Sequence, residues 1–149
     1  MKLISHRGNL TGPDLVNENT EAQITFAIDS GYEVEVDVWY IDGKLMLGHD
    51  DPTHPTTLQF LLQPEIWAHA KNLEALEYLL NNCVHCFWHE NDARTITSNK
   101  FIWTYPGKDT VKNSVIVELS DTLRLVNTDI YGVCGDYVQE WKASHSSLF

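Results

Sequence analysis

Short apolar runs recur along the whole chain, and in its first half they alternate with helical patterns. Eight runs have the length and apolar content of β-strands: KLIS, YEVEVDVWY, LMLGHDD, EIWAHAK, VHCFWH, KFIWTY, SVIVEL and IYGVCGDYV. Helices are predicted over NTEAQITFAIDSG and NLEALEYLLNN, with TTLQFLLQ as a shorter candidate. The turn at Asp42-Gly43 predicts a hairpin between the second and third runs.

This order of elements predicts a mainly parallel sheet of six or seven core strands with helices outside it. An open doubly wound sheet and a closed barrel both fit that description. A complete eight-unit β/α barrel usually needs about 250 residues, whereas this chain has 149. We expect a single domain over residues 1–149, and any barrel that it forms must lack helices or whole units.

The composition excludes some classes of partner. The formal net charge is −11, which opposes binding of nucleic acid through the overall field. A small phosphate-bearing ligand stays compatible, because one bound metal ion inverts the local charge. No run approaches the roughly 18 apolar residues of a membrane span. The polar start MKLISHRGN and the odd number of cysteines, three, predict a cytoplasmic protein without a disulfide framework.

Reactive side chains recur at or near the carboxyl ends of the predicted strands. They are His6, Arg7, Glu35, Asp37, His49, His69, Lys71, His89, Trp103, Tyr105 and Asp136. In parallel α/β folds the ligand site lies at this edge of the sheet, because the loops converge there. Their common position is a stronger signal than any single residue.

Two pairs on different runs, Glu35 with Asp37 and His69 with Lys71, have the spacing that directs side chains to one face of a strand. Glu35 and Asp37 follow Glu33 on the same face, and two buried carboxylates repel each other unless a proton or a cation intervenes. Oxygen ligands favour Mg²⁺ or Ca²⁺. The alternative is a solvated acidic face. His69 could complete the metal site and Lys71 could hold an anion, unless their strand is a wet edge.

His6 and His49 form the natural candidate pair for proton transfer, because histidine titrates near neutral pH. The alternative is that they are structural. Cys83 and Cys86 form a CxxC motif, but a structural zinc site usually takes its ligands from two separated pairs. No second CxxC exists, so the zinc interpretation is disfavoured. The aromatic rings of Trp88, Trp103 and Tyr105 are candidate pocket walls or core residues.

Four short motifs in order, ISHRG, ENT, EVDV and GHD, resemble the glycerophosphodiester phosphodiesterase family over Met1 to Asp50. The later segments HAKN and YGVCGDY are similar to further strands of that family. The resemblance implies a TIM-barrel phosphodiesterase, an arrangement shared with the related spider-venom type phospholipases. It implies His6 and His49 as general acid and base, and Arg7 as the phosphate ligand.

The resemblance also implies Glu35 and Asp37 as metal ligands, with Lys71 near the phosphate or the metal. The family's third metal carboxylate corresponds to His69 here, and this mixed site brings Mn²⁺ or Zn²⁺ into consideration beside Mg²⁺ or Ca²⁺. Because the chain is short, we expect a reduced or incomplete TIM-like parallel β/α barrel of the α/β class. Its exposed strand edges would favour a homo-oligomer.

The expected function is metal-dependent hydrolysis of a small glycerophosphodiester-like substrate by histidine acid–base catalysis. A non-enzymatic module that binds a phosphoryl ligand on the same fold is the alternative. A third interpretation is an unrelated metal hydrolase that uses His69, His89 and the acids. Trp103, Tyr105, His89 and Asp136 are expected to line the pocket.

Overall fold

The computed structural model describes residues 1–149 and contains ten strands and four helices. The strands are β1 (Lys2–His6), β2 (Glu33–Ile41), β3 (Lys44–Leu47), β4 (His54–Pro55), β5 (Ile66–Ala70), β6 (Cys86–Phe87), β7 (Arg94–Ile96), β8 (Ile102–Thr104), β9 (Ser114–Val117) and β10 (Gly132–Gly135). The helices are α1 (Glu21–Asp29), α2 (Leu58–Leu61), α3 (Leu73–Asn81) and α4 (Val138–Ser144). None of the four helices has the length and apolar character needed to cross a membrane.

All ten strands belong to one curled sheet. Its parallel part runs in the order β6, β5, β2, β1, β10, β9, β8. The hairpin of β2 and β3 with β4 beyond it, and the pairing of β7 with β8, are antiparallel. The sheet is therefore mixed, and it forms a half-barrel.

The expected TIM-like parallel β/α barrel is wrong. That fold needs a helix after nearly every strand, whereas only 19% of this chain is helical and the connections from β6 to β10 contain no helix. The physical reason lies in the segments between these strands, such as HENDA and YPGKDTVKN. They are short and rich in Asn, Asp, Gly and Pro, which favour turns over helix.

The inner face of the curl carries a separate apolar layer directly below the polar edge. It consists of Ile4, Trp67, Phe87, Trp103, Val115 and Cys134. Most of these precede a predicted site residue by two positions, as Ile4 precedes His6 and Trp67 precedes His69. Because side chains alternate along a strand, each strand fills the interior with one residue and presents the next inward residue at the rim.

Glu33 belongs to the lower part of this interior rather than to the polar edge. Its carboxylate accepts a hydrogen bond from Trp67 Nε1 at 2.8 Å and lies 3.0 Å from Lys2 Nζ. It is thus neutralised at the opposite end of the sheet. Of the three acids that share one face of β2, only Glu35 and Asp37 face the candidate site.

Candidate active site

A tight left-handed turn at Arg7 and Gly8 follows β1. It allows His6 and the adjacent Arg7 to contact different partners, Asp136 and Asp37. Arg7 has φ 56° and Gly8 has φ 87°, and the Arg7 N–H donates to the Glu35 carbonyl at 2.8 Å. A Cβ on Gly8 would lie 2.9 Å from the Gln23 side chain and 3.2 Å from its backbone. Glycine is therefore required where the turn packs on α1, and the turn holds Arg7 beside β2.

The register between β2 and β5 brings the predicted metal ligands together. Asp37 pairs directly with His69 across the parallel ladder. The His69 Nδ1 atom lies 3.3 Å from Asp37 Oδ1 and 3.6 Å from Glu35 Oε1. One ligand atom from each of the three residues lies within 4.8 Å of the other two. The structure thus brings Glu35, Asp37 and His69 together.

The hydrogen bonding of this cluster fits a divalent cation. His69 Nε2 donates to the His89 carbonyl at 2.9 Å, which directs Nδ1 towards the acids, as the outer partners of metal-bound histidines commonly do. Glu35 Oε2 is buried and has no hydrogen-bond partner, although buried polar atoms normally have one. Two carboxylates and an imidazole could hold the ion, with the orphaned oxygen as one ligand atom.

The charges around the cluster also fit a divalent cation. Four carboxylates and two permanently charged bases are linked by short contacts: Glu18, Glu35, Asp37 and Asp136 with Arg7 and Lys71. With neutral histidines this group carries a net charge of −2. A divalent cation balances that charge, and so do protons on two histidines. A divalent cation and protons therefore compete for the same site.

Despite burial, the surrounding carboxylates raise the pKa values of His6 and His69. Burial acts to lower the pKa of His69, but the hydrogen bond to Asp37 and the charge of Glu35 outweigh burial and raise that pKa to about 9. Burial likewise opposes charge on His6, yet the hydrogen bond to Asp136 raises the pKa of His6. Burial acts to raise the pKa of Asp37, whereas the neighbouring cations hold it below its usual range.

These shifts predict that the metal-free protein loses stability as the pH rises. An unfolded histidine titrates near pH 6.5, so the contribution of protonated His69 is complete below that pH and is lost as the pH rises through about 9. The full contribution is about 3 kcal/mol. Urea unfolding in a chelator at pH 6 and pH 9 measures it. His69→Gln should flatten the difference, and an unchanged slope in that variant would contradict the assignment.

His6 is held by a buried network that the sequence did not reveal. Its Nδ1 atom lies 2.9 Å from Asp136 Oδ1, and the same oxygen accepts from Asn9 Nδ2 at 2.9 Å. Asn9 Nδ2 also donates to Glu18 Oε2 at 3.0 Å. Asp136, expected as a pocket residue, therefore lies behind His6 as its anchor. The His6 Nε2 atom lies 3.8 Å from Glu35 Oε2.

Glu18 and Asn19 are the functional residues that sequence reasoning missed. Glu18 Oε1 accepts from Arg7 Nη1 at 2.9 Å. The carboxamide of Asn19 donates to Asp37 Oδ2 at 2.9 Å and accepts the Asp37 N–H at 3.0 Å, which fixes the carboxylate with Oδ1 towards His69. Both stand in the ENT segment, where polar residues before a helix are also explained as capping.

His49 reaches the site from the loop after β3. Gly48 has φ 146°, and a Cβ there would clash with the Asp51 carbonyl. The Gly48 carbonyl accepts from Trp39 Nε1 at 2.6 Å, which ties the loop to β2. His49 Nδ1 lies 2.8 Å from Asp50 Oδ1, and its side chain is 40% exposed. His49 is thus the more solvent-accessible of the two candidate proton-transfer histidines.

Two adjoining cavities open at this edge of the sheet. The inner cavity, about 160 Å³, is lined by His6, Arg7, Glu35, Asp37, His49, His69, His89, Trp103, Tyr105, Pro106, Val117 and Leu119. The outer cavity, about 420 Å³, is lined by His49, His69, Ala70, Lys71, Trp88, His89, Glu90, Asn91 and Tyr105. His89, Trp103 and Tyr105, which were expected to line a pocket, all lie along the inner cavity. Lys71 lines the outer cavity, with Nζ 3.5 Å from Asp37 Oδ1.

The CxxC motif formed by Cys83 and Cys86 does not contribute to a site. Cys83 is exposed and Cys86 is buried, and neither belongs to a cluster of potential metal ligands.

Comparisons of the chain with family models, with curated proteins and with solved structures found no match. The fold and the site therefore define a strand-rich half-barrel with one histidine–carboxylate centre at the carboxyl edge of its parallel strands.

Proposed function

We propose that this protein is a metal-dependent phosphodiesterase that hydrolyses a small glycerophosphodiester-like substrate. One observation carries the proposal: His6, His49, Arg7 and the cluster around Glu35 line a single small cavity. General acid–base catalysis needs two proton-transfer groups around one reacting centre. A phosphate diester between two such histidines would also meet the guanidinium of Arg7.

The side chains would divide the work as follows. Arg7 uses Nη1 to bind Glu18, and its Nη2 makes no hydrogen bond within the protein, which leaves a donor for a phosphate oxygen. One histidine would take the proton of the nucleophile, and the other would protonate the leaving alkoxide. A cation bound at the cluster would stabilise the charge on the phosphate oxygens. The cluster's oxygen ligands favour Mg²⁺ or Ca²⁺, and His69 adds Mn²⁺ or Zn²⁺ as alternatives.

A module that binds a phosphoryl ligand without hydrolysis is the second candidate. It is favoured by the arrangement of nitrogen groups: His6 and Arg7 line the inner cavity and Lys71 lines the outer one. A phosphate there would meet these groups without a bound cation. The net charge of −11 opposes nucleic acid for either function. Three free cysteines support a cytoplasmic location.

The expected result of the direct test is hydrolysis that depends on a divalent cation. Purified protein stripped with a chelator would be assayed on bis(p-nitrophenyl) phosphate and on glycerophosphocholine, alone and with Mg²⁺, Ca²⁺, Mn²⁺ or Zn²⁺ added. Activity should vanish in the chelator and return with at least one metal. Phosphate binding without hydrolysis under every condition would instead support the second candidate.

A further inference from the structure

The outer cavity continues directly from the inner one. His49, His69, His89 and Tyr105 line both, so a ligand whose phosphate lies in the inner cavity would extend into the outer one. Its volume of about 420 Å³ lies within the range of about 300–1,000 Å³ typical of small-molecule sites. The inner cavity, at about 160 Å³, has less room for an alcohol beside the phosphate.

The tryptophans separate into two groups by the partner of the indole N–H. Trp39, Trp67 and Trp141 donate to protein oxygens at 2.6, 2.8 and 2.9 Å. Trp88 and Trp103 have no such partner within the protein, and each lines one of the two cavities. Partly buried indole N–H groups usually find a partner. The two unpaired donors are therefore available to a ligand.

Other unpaired polar groups complete the wall of the outer cavity. The Glu90 carboxylate, the Asn91 carboxamide and the Tyr105 hydroxyl belong to exposed residues and make no hydrogen bond within the protein, whereas Lys71 lies against Asp37. An acyl chain would remove these polar groups from water without compensation. A cationic ligand would meet Lys71, and an anionic one would meet Glu90. An uncharged ligand with many hydroxyl groups satisfies donors and acceptors alike and can lie on the face of Tyr105.

We infer that the outer cavity is the subsite for the alcohol of the substrate, and that this alcohol is an uncharged polyhydroxyl group of sugar or cyclitol size. The inference rests on the proposed function for its phosphate site, and it adds the class of alcohol. It makes Trp88, Glu90 and Asn91 the specificity-determining residues. Trp88 and Asn91 would hydrogen bond the hydroxyl groups, and Glu90 would accept from them.

The test is a binding measurement, which does not depend on turnover. Isothermal titration of the Mg²⁺-loaded protein would compare myo-inositol 1-phosphate, phosphocholine and inorganic phosphate. The inositol phosphate should bind at least roughly 10-fold more tightly than the other two, because several hydrogen bonds each contribute a few-fold. Trp88→Phe and Asn91→Ala should each weaken that ligand by roughly 3- to 10-fold and leave inorganic phosphate unchanged. Glu90→Gln should weaken the inositol phosphate in the same way, and Glu77→Gln, exposed on α3, is its matched control and should leave all three affinities unchanged.

The outcomes separate this inference from the proposed function. Selective binding of the inositol phosphate without hydrolysis of any diester would sustain the subsite and overturn the phosphodiesterase. Equal binding of all three ligands, or tighter binding of phosphocholine, would overturn the subsite even in an active enzyme. Loss of inorganic phosphate binding in Trp88→Phe would also overturn it, because the effect would then belong to the phosphate site.

Discussion

Glutamine in place of Glu35 is expected to abolish hydrolysis and cation binding while leaving the fold intact. The buried Oε2 atom has no hydrogen-bond partner, and His69 Nδ1 lies 3.6 Å from Oε1. Removing the charge therefore breaks no hydrogen bond. At pH 9, where the contribution of protonated His69 is largely lost, we expect stability in a chelator to change by less than about 1 kcal/mol. Loss of a cation ligand should lower kcat/KM by roughly 1,000-fold, since such a cation supplies several kcal/mol.

The neighbouring substitution Asp37→Asn should behave differently. Asp37 accepts from Asn19 and lies 3.2 Å from Arg7 Nε and 3.5 Å from Lys71 Nζ. Its loss would leave Lys71 without its partner and Arg7 with Glu18 alone, at a cost of about 3–5 kcal/mol when a buried pair is broken on one side. Activity should fall as in Glu35→Gln, but the unfolding midpoint should fall as well.

Glu33→Gln is the matched control for both variants, because it lies on the same face of β2 and outside both cavities. It should retain full activity and cation binding. Calorimetric titration with Mn²⁺, urea unfolding in a chelator and diester hydrolysis would be measured on all three variants. If Glu35→Gln binds Mn²⁺ as tightly as the wild type, the cation site is wrongly placed.

The pairing of site residues along each strand was predictable from the sequence because it depends on local periodicity. Side chains two apart on a strand share a face, so Glu35 with Asp37, and His69 with the following Lys71, had to point together. Only the register between β2 and β5 was missing, and the pairing of Asp37 with His69 supplied it. The layer below obeys the same rule, since the inward residue before most of the rim residues is apolar; Glu33, before Glu35, is the exception.

The architecture was not predictable in the same way. The number of helices decides between a β/α barrel and a strand-rich half-barrel, and the chain between β6 and β10 carries no 3.6-residue periodicity from which to predict helices. Strand β6 has only two residues, and β7 turns back against β8. A mainly parallel sheet follows from the alternation of strands and helices in the first half, whereas the order of the strands and the closure of the sheet depend on contacts between distant segments.

The supporting network also depends on distant contacts. Asp136 shares a hydrogen bond with His6 although the two lie 130 positions apart in the chain. Asn19 likewise donates a hydrogen bond to Asp37 across 18 positions. A sequence presents each as an isolated polar residue with an ordinary local explanation, such as a cap or a strand end. Their role emerges only when burial removes water, because a buried polar group must then find a protein partner.

Asparagine in place of His6 or of His49 is expected to lower kcat/KM on an alkyl diester by roughly 100- to 10,000-fold, the usual contribution of a general acid or base. Both rings line the inner cavity, and asparagine keeps polar atoms there without a titratable nitrogen. The His6 variant also loses a partner of Asp136, so its unfolding midpoint must be recorded. His145→Asn, on the residue that follows α4, is the matched control and should leave kcat/KM unchanged.

The leaving group distinguishes the two histidines. p-Nitrophenolate departs without a proton, whereas an alkoxide needs one, so the variant that lacks the general acid should keep most of its activity on bis(p-nitrophenyl) phosphate. The variant that lacks the base should lose activity on both substrates. Substantial hydrolysis of glycerophosphocholine by both variants would exclude the histidine mechanism. An equal loss on both substrates in both variants would mean that the rings position the phosphate and do not transfer its protons, because proton transfer alone depends on the basicity of the leaving group.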